Sequence, residues 1–146
     1  IEENKIDELK KFLISKFKSS KPNFVQNNFI EIDSILSANA VNEKTYEVVS
    51  KLGPFGSGNT EPKFIVEDLS IIKINFENDF LLKALFKNSS GLYLHGVCFK
   101  NNKEKVIDYL KNFKNHKFHL AGKLSCNDWN KQRVIEFIIE DVSLTH

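Results

Sequence analysis

The residues with the clearest capacity for chemistry are one tryptophan and the polar side chains around it. Trp129 is accompanied by Asn127, Asn130 and Lys131, so an aromatic plane is flanked by two amides and a cation. A base of a single strand stacks on such a ring with about 1 to 3 kcal/mol and little dependence on sequence. The segment therefore predicts a contact to single-stranded DNA. The alternative, which the sequence leaves open, is that Trp129 packs over the end of a barrel as a plug.

Basic side chains on the predicted polar faces of strands form a second set of candidates. They are Lys73, Lys83, Lys87, Lys117, Lys123 and Arg133. Lysine on a strand is by default a solvated residue, and the net charge of the chain is only +2. A DNA interface requires these cations to converge in space, which composition cannot show.

A third candidate is the glycine- and proline-rich string LGPFGSGNTEPKF at residues 52–64. Gly56 and Gly58 can adopt positive φ, which would turn successive N–H groups toward a DNA phosphate. We include Asn59, in the same string, as a candidate contact. The alternative is a rigid elbow between two domains, with Phe55 buried at the joint.

Residues for catalysis or metal binding do not form a recognisable pattern. His116 and His119 are three residues apart, which on a strand places them on opposite faces. Cys98 and Cys126 lack CxxC spacing, so we expect two free thiols. We therefore assign no catalytic residue, no metal ligand and no cofactor to this chain, and we disfavour an independent enzyme.

Helical spacing predicts the elements of the first third of the chain. One helix is expected from Lys5 to Phe17, with Asn4 as its N-cap. A second is expected from about Glu43 to Leu52, capped by Asn42, with Tyr46, Val49 and Leu52 on one apolar stripe. Between them, the short apolar piece Phe29–Ile32 suits an edge strand.

From residue 63 onward the pattern changes to alternation with period two. Strands are predicted at 71–76, 82–87, 92–99, 117–124 and 135–140. In the first of them Ile72, Ile74 and Phe76 are expected to share the core face. A single helix at about 103–113 separates the third strand from the fourth, which is the order of an OB-fold, a partly open Greek-key barrel. The sequence thus predicts an α+β fold with a five-stranded OB-fold preceded by a small helical region.

Composition indicates one ordinary domain, or a small domain with a helical appendage. The 146 residues are 41% hydrophobic and 27% charged, as in soluble globular proteins. No apolar run approaches the roughly 20 residues of a membrane helix, and no signal-peptide pattern is present. We therefore expect a cytoplasmic protein. Because the chain lacks methionine, we also expect it to be a fragment of a longer one.

Two motifs carry a resemblance to a known family. The string LGPFGSGNTEPKF resembles the LxPFGxGNPEPxF motif that joins the DHH-associated domain to the OB-fold in RecJ proteins, with Thr60 in place of a proline. Residues 127–142 resemble that family's NxWNGxxxxQLxIxDI ending, although Lys131 replaces the glycine and Glu136 the glutamine. The positions that match are Asn127, Trp129, Asn130 and Asp141.

The resemblance implies the C-terminal region of a bacterial RecJ exonuclease, an enzyme of DNA repair and recombination. Such an enzyme removes nucleotides from single strands in the 5′ to 3′ direction, with Mn²⁺ or Mg²⁺ held by a DHH domain whose motifs this sequence lacks. It also implies a remnant of the DHH-associated domain at 1–53, a Gly/Pro elbow at 54–62 and an OB-fold domain at 63–146. This non-catalytic part would bind single-stranded DNA. The alternative is a module that docks a single-strand-binding protein or a helicase.

If Trp129 stacks on a base, we expect Trp129→Ala to weaken single-strand binding by about 1 to 3 kcal/mol. The slope of log affinity against log salt should not change, because stacking releases no counterions. Titration of a labelled oligonucleotide over a salt series measures both quantities. The plug interpretation predicts a loss of thermal stability instead, with binding reduced only in proportion to the unfolded fraction.

Overall fold

Most of the chain beyond residue 63 is built as long β-strands, as its alternating pattern requires. The computed structural model describes residues 5–19, 29–78, 80–99, 101, 103–113, 115–128 and 133–145. The elements are α1 (Ile6–Ser19), β1 (Ser34–Leu36), a 3₁₀ helix (Ala38–Ala40), α2 (Glu43–Ser50), β2 (Phe64–Asn78), β3 (Leu81–Lys87), β4 (Tyr93–Phe99), α3 (Glu104–Asn112), β5 (Lys117–Asn127) and β6 (Val134–Leu144).

The five strands β2, β3, β4, β6 and β5 pair in that order, and β5 pairs with β2 to complete a ring. Antiparallel pairs join β2 to β3, β3 to β4, β5 to β6 and β2 to β5. The remaining join, between β4 and β6, is parallel and has two residue pairs, Gly96 with Phe137 and Val97 with Ile138. This order, with α3 between β4 and β5, confirms the predicted α+β OB-fold. The short β4–β6 join is where the Greek-key barrel is least closed.

Alternate residues of each barrel strand fill the core. In β3, Leu82, Ala84 and Phe86 are buried while Lys83 and Lys87 face outward, as the pattern predicted. The largest fully buried side chains are Phe86, Phe118, Phe137, Leu69, Leu82, Leu110, Leu120 and Ile139. Removing each from water contributes about 1.5 to 3 kcal/mol, which makes this core the main source of stability.

The residues of β2 that point toward the core differ from the prediction because the strand contains a β-bulge. Its register against β3 shifts between Ile71 and Lys73, so Ile71 takes the place toward the core and Ile72 is 53% exposed. Phe76 is also exposed, beneath the ammonium group of Lys111. The expectation for Ile72 was wrong, because the extra residue of the bulge turns its side chain away from the core, whereas Ile74 packs against the core as predicted. Phe76 lies on the same side of the strand as Ile74 but is exposed near its end, so its predicted place in the core was also wrong.

The first strand of the sheet starts later than predicted. Residues 29–32 lie outside the strands, and β1 pairs in parallel with the first three residues of β2. The entry to this pairing is fixed by Asp33, whose N–H donates to the Lys63 carbonyl and whose carboxylate accepts from the Lys63 N–H, both at 2.9 Å. These two hydrogen bonds set the start of pairing one residue before Ser34.

The helix α2 packs on the barrel through the residues that its periodicity indicated. Tyr46 and Val49 contact the core. The predicted cap is confirmed, because the Asn42 side chain accepts a hydrogen bond of 3.0 Å from the Thr45 N–H. Leu52 lies beyond the end of the helix and is exposed, so its predicted place on the apolar stripe was wrong.

The helix α1 is confirmed, but its apolar residues are exposed. Ile6, Leu9 and Leu13 each keep 40% or more of their surface accessible. The predicted cap Asn4 lies outside the described residues. Among the helices that the structure describes, none is long and apolar enough to cross a membrane.

The closest approach of two barrel strands should be sensitive to one methyl group. A Cβ added at Gly122 of β5 would lie 1.9 Å from the carbonyl oxygen of Ile138 in β6. Because that atom belongs to the backbone, we expect Gly122→Ala to lower the free energy of unfolding by at least about 1 to 3 kcal/mol. Gly58→Ala is the control, since nothing lies within 4 Å of its added Cβ, and it should change stability by less than about 0.5 kcal/mol. Equal urea midpoints for the two variants would contradict the close β5–β6 approach.

Candidate nucleic-acid interface

The outward faces of β2, β3 and β4 form one continuous surface. Direct cross-strand neighbours on it are Lys73, Leu85 and His95 in one row, and Asn75, Lys83 and Val97 in the next. Alternation along β4 buries Leu94 and Cys98 and exposes three ring-bearing side chains between them and at both ends. We call these three residues, Tyr93, His95 and Phe99, the β4 wall.

A groove follows this surface along the β4 wall. It consists of two adjoining hollows that share Lys83, Val97 and Glu136. The first is also lined by Lys73, Asn75, Ala84, Leu85, His95 and Gly96, and the second by Glu77, Leu81, Phe99 and Asn127. Three of the predicted site residues, Lys73, Lys83 and Asn127, are therefore brought together. Glu77 and Leu81, on either side of the β2–β3 connection, line the groove together with Asn127 at the end of β5, in the region where an OB-fold holds its ligand.

Carboxylates in the groove offset part of its positive charge. The Lys83 ammonium lies 2.8 Å from a carboxylate oxygen of Glu77. That hydrogen bond is the main cause that raises the pKa of Lys83 above its usual value. The Asn127 amide donates to Glu136 at 3.4 Å. Lys83 is thus held in the groove with a partner of its own, and an incoming phosphate would have to compete with Glu77.

Two other predicted cations are paired away from the groove. Lys123 donates to the carboxylate of Glu61, next to the glycine-rich string. Arg133 contacts three carboxylates, from Glu43 and Glu47 of α2 and from Asp128 of the β5–β6 connection. The structure therefore gives both side chains partners within the protein. Lys117 stands apart from both groups, at the start of β5.

The glycine-rich string is a turn rather than an anion nest. The Gly56 N–H donates to the Asn59 carbonyl at 2.8 Å, and the Asn59 N–H donates back to Gly56 at 3.2 Å. The Asn59 amide also donates to the carbonyls of Leu52 and Pro54. Among described glycines a positive φ occurs at Gly91, so the expected positive φ at Gly56 and Gly58 was wrong. The turn hydrogen bonds hold this backbone without it.

Three of the predicted contacts, Trp129, Asn130 and Lys131, lie outside the described residues. The β4 wall, by contrast, is a feature that sequence reasoning missed. The prediction for residues 92–99 was a strand whose two faces were not assigned residue by residue. The alternation of YLHGVCF on the third strand of an OB-fold was the available signal, because ligands cross this strand.

No metal centre emerges from the part of the chain that the structure describes. It contains no group of three or more His, Cys, Asp or Glu side chains that could hold an ion. The described groove combines aromatic rings, amides and lysines, which are groups that bind single strands in other proteins.

Comparison with known families decides the relationship. The model of the RecJ OB domain matches residues 32–141. The chain belongs to the RecJ OB domain family. The matched region of this RecJ OB domain includes β1 and α2 as well as the barrel. No curated protein sequence matches the chain.

Solved structures show the same fold for the RecJ OB domain. The crystal structure of RecJ in complex with Mn²⁺ from Thermus thermophilus is 17% identical, with a TM-score of 0.55, over 80% of this chain and 16% of that chain. The Mg²⁺ complex of RecJ from the same organism is 18% identical, with a TM-score of 0.54, over 80% and 17%. The RecJ OB domain thus spans about one sixth of the length of these proteins.

The two cysteines of the RecJ OB domain differ in their surroundings. Cys98 is fully buried behind the β4 wall, and this burial raises the pKa of its thiol to about 11. Cys126 is partly exposed, near the end of β5, with its sulfur 3.2 Å from a carboxylate oxygen of Asp128. Both are free thiols, as predicted.

We expect a thiol reagent at pH 8 to modify Cys126 of the folded protein and to spare Cys98. With a pKa of about 11, only about one Cys98 thiol in a thousand is ionised at that pH, and the reagent cannot reach it. Mass spectrometry after maleimide treatment should find one adduct, which Cys126→Ser removes and Cys98→Ser retains. Rapid modification of Cys98 in native protein would contradict its buried place.

Proposed function

We propose that this chain binds single-stranded DNA along the β4 wall, as the non-catalytic DNA-gripping domain of a RecJ-type 5′ to 3′ exonuclease in DNA repair and recombination. The observation that carries the proposal is the exposure of aromatic rings at both ends of β4, on an outward face of the OB-fold. Tyr93 is 57% exposed and Phe99 is 51% exposed, although both are flanked in β4 by buried neighbours.

The spacing of these rings suits an extended strand of nucleotides. Residues on one face of a strand repeat about every 7 Å, and Tyr93 and Phe99 are therefore about 20 Å apart along β4. Every base offers a π-face, so stacking on such rings accepts any sequence. This tolerance is what an exonuclease that degrades strands of any sequence requires.

Cations are available beside the wall for the phosphates. The Lys87 ammonium lies 5.6 Å from the centre of the Tyr93 ring. Lys73 and His95 are the direct neighbours of Leu85 in β2 and β4, one on each side of it. Ammonium groups beside stacking rings are the usual combination in proteins that hold single strands. Trp129, Asn130 and Lys131, predicted from sequence, would extend the same contact from the β5–β6 connection.

The activity of the whole protein lies beyond these residues and remains part of the proposal. We propose that nuclease chemistry, with Mn²⁺ or Mg²⁺, occurs in a separate DHH domain of a cytoplasmic enzyme. The role of this chain is then to hold the single strand and guide it to that site. The family match and the groove along the β4 wall support this division of labour.

A second candidate, a module that docks a protein such as a single-strand-binding protein or a helicase, has one observation in its favour. Aromatic residues also cluster around α3, where Tyr109 and Phe113 have ring centroids 4.7 Å apart. Nearby in chain order, Lys111 lies over Phe76 at 4.5 Å. The β4 wall combines exposed rings with a groove and lysines, so single-stranded DNA is the first proposal.

We expect Phe99→Ala and Tyr93→Ala each to weaken binding of a labelled single-stranded oligonucleotide by about 1 to 3 kcal/mol. For Phe99→Ala the salt slope should stay the same, since the change removes a stacking surface and no cation. The control is Phe12→Ala, which removes an equally exposed ring from α1. Fluorescence anisotropy measures affinity, and a thermal melt confirms that each variant is folded.

Four outcomes would contradict the proposal. A folded parent chain that binds duplex as tightly as single strand would remove specificity for single strands. Folded β4 variants with the parent's affinity, or a Phe12→Ala variant whose affinity falls as far, would remove the β4 wall from the interface. A parent chain that binds no oligonucleotide would favour the protein-docking candidate.

A further inference from the structure

The lysines of the barrel strands fall into two classes. The strands carry five of them, Lys73, Lys83, Lys87, Lys117 and Lys123. Lys83 is paired with Glu77, and Lys123 is paired with Glu61. The other three, Lys73, Lys87 and Lys117, form no ion pair with a carboxylate of the described residues.

The strand pairing brings two of the unpaired lysines into one line. Ser70 of β2 is the direct neighbour of Lys117 in β5 on one side and of Lys87 in β3 on the other. Lys87 is in turn the direct neighbour of Tyr93 in β4. We call Lys117, Ser70, Lys87 and Tyr93 the basic row. It crosses four adjacent strands on their outward side, a width of about 14 Å.

The third unpaired lysine lies beside the row. Lys73 pairs with Leu85, two residues before Lys87 on the same face of β3, so Lys73 and Lys87 are diagonal neighbours about 7 to 8 Å apart. The bulge of β2 adds the exposed side chain of Ile72 between Ser70 and Lys73. Bulges re-aim side chains at functional surfaces, and here the result is an apolar contact among three cations.

We infer that the basic row is a second segment of the DNA path, where Lys87 and Lys117 bind phosphates of a single strand that continues past the β4 wall. The inference rests on the proposed function, because Tyr93 belongs both to the wall and to the row. A strand that stacks on Tyr93 has its next phosphates within reach of Lys87, and Ser70 and Lys117 follow. The path thus turns from along β4 to across β3, β2 and β5.

Charge explains why the row suits a polyanion. Two ammonium groups two strands apart, without carboxylate partners among the described residues, repel each other, and a phosphate between them would relieve the repulsion. For Lys83 and Lys123, a carboxylate of the protein already offsets the charge of the ammonium group. Tyr93 and Ile72 add apolar surface for bases and sugars, which favours a nucleic acid over an acidic peptide with no rings to stack.

The test compares two lengths of oligothymidylate on the full chain over a salt series. One has about 5 nucleotides and the other about 16, near the lower and upper limits of OB-fold sites. For the longer strand, Lys87→Gln combined with Lys117→Gln should flatten the plot of log affinity against log salt by about 1.4, that is about 0.7 for each phosphate that the variant no longer neutralises. The slope for the shorter strand should change by less than half of that.

The matched control is Lys123→Gln, a lysine of the same strand as Lys117 that already has a carboxylate partner. It should leave both slopes unchanged. Thermal melts check that all variants are folded. The inference is overturned if the double variant keeps the parent's slope for the longer strand, or if Lys123→Gln flattens it as much. Tighter binding of poly-glutamate than of the longer strand would also overturn it.

The inference and the proposed function fail in different ways. An unchanged slope in the double variant, together with weakened binding by Phe99→Ala, removes the basic row and leaves the β4 wall as the interface. Absence of binding by the parent chain to either strand removes the proposed function and the inference with it.

Discussion

The fold depends on one strand serving two neighbours. β2 pairs with β5 through its first half and with β3 through its second half, and Ser70 is the residue that pairs with both. A strand can do this only if it bends sharply, and bulges supply the bend. Register shifts occur on either side of Ser70, between Val66 and Leu69 and between Ile71 and Lys73. Without this exchange of partners the ring of strands would remain an open sheet.

The same exchange organises the outward surface. Because Ser70 pairs with both strands, Lys87 of β3 and Lys117 of β5 lie near each other although they are 30 residues apart in the chain. The pairing of β2 with β5 thereby places cations on the surface beside the β4 wall.

Some of the cations of the protein form ion pairs within it, and others are left for a ligand. Arg133 joins the start of β6 to α2, and Lys123 joins β5 to the glycine-rich turn through Glu61. Both pairs are partly exposed, so solvent and salt screen them and their contribution to stability is small. Their larger effect is to remove two cations from the surface available to DNA. The unpaired lysines then define where a polyanion is attracted.

The segment that precedes the barrel is joined to it by backbone and amide hydrogen bonds. Asp33 and Lys63 exchange bonds where β1 meets β2. Asn59 holds the carbonyls of Leu52 and Pro54 and so fixes the turn that follows α2. A glycine-rich string needs such a side chain, since glycine has no Cβ to limit its backbone. The hydrogen bonds of Asn59, rather than positive φ at the glycines, therefore hold the backbone of this turn.

Local pattern in the sequence determined most of the elements, whereas tertiary structure decided which candidate residues stand together. Alternation in β3, β5 and β6 identified the buried residues, Asn42 marked the start of α2, and the order of strands and helix predicted the OB-fold. These features depend on neighbours within a few residues, where side-chain direction follows from the backbone period. The two long motifs indicated the family that the domain match shows. The Glu61 partner of Lys123 and the Glu43 partner of Arg133, by contrast, are 62 and 90 positions away in the chain, so no local pattern could show these two ion pairs. The bulge at Ile72 arises because β2 must meet two strands at once, and a period-two count cannot anticipate an inserted residue. The basic row exists for the same reason, since its members come from four strands and become neighbours only when the barrel closes.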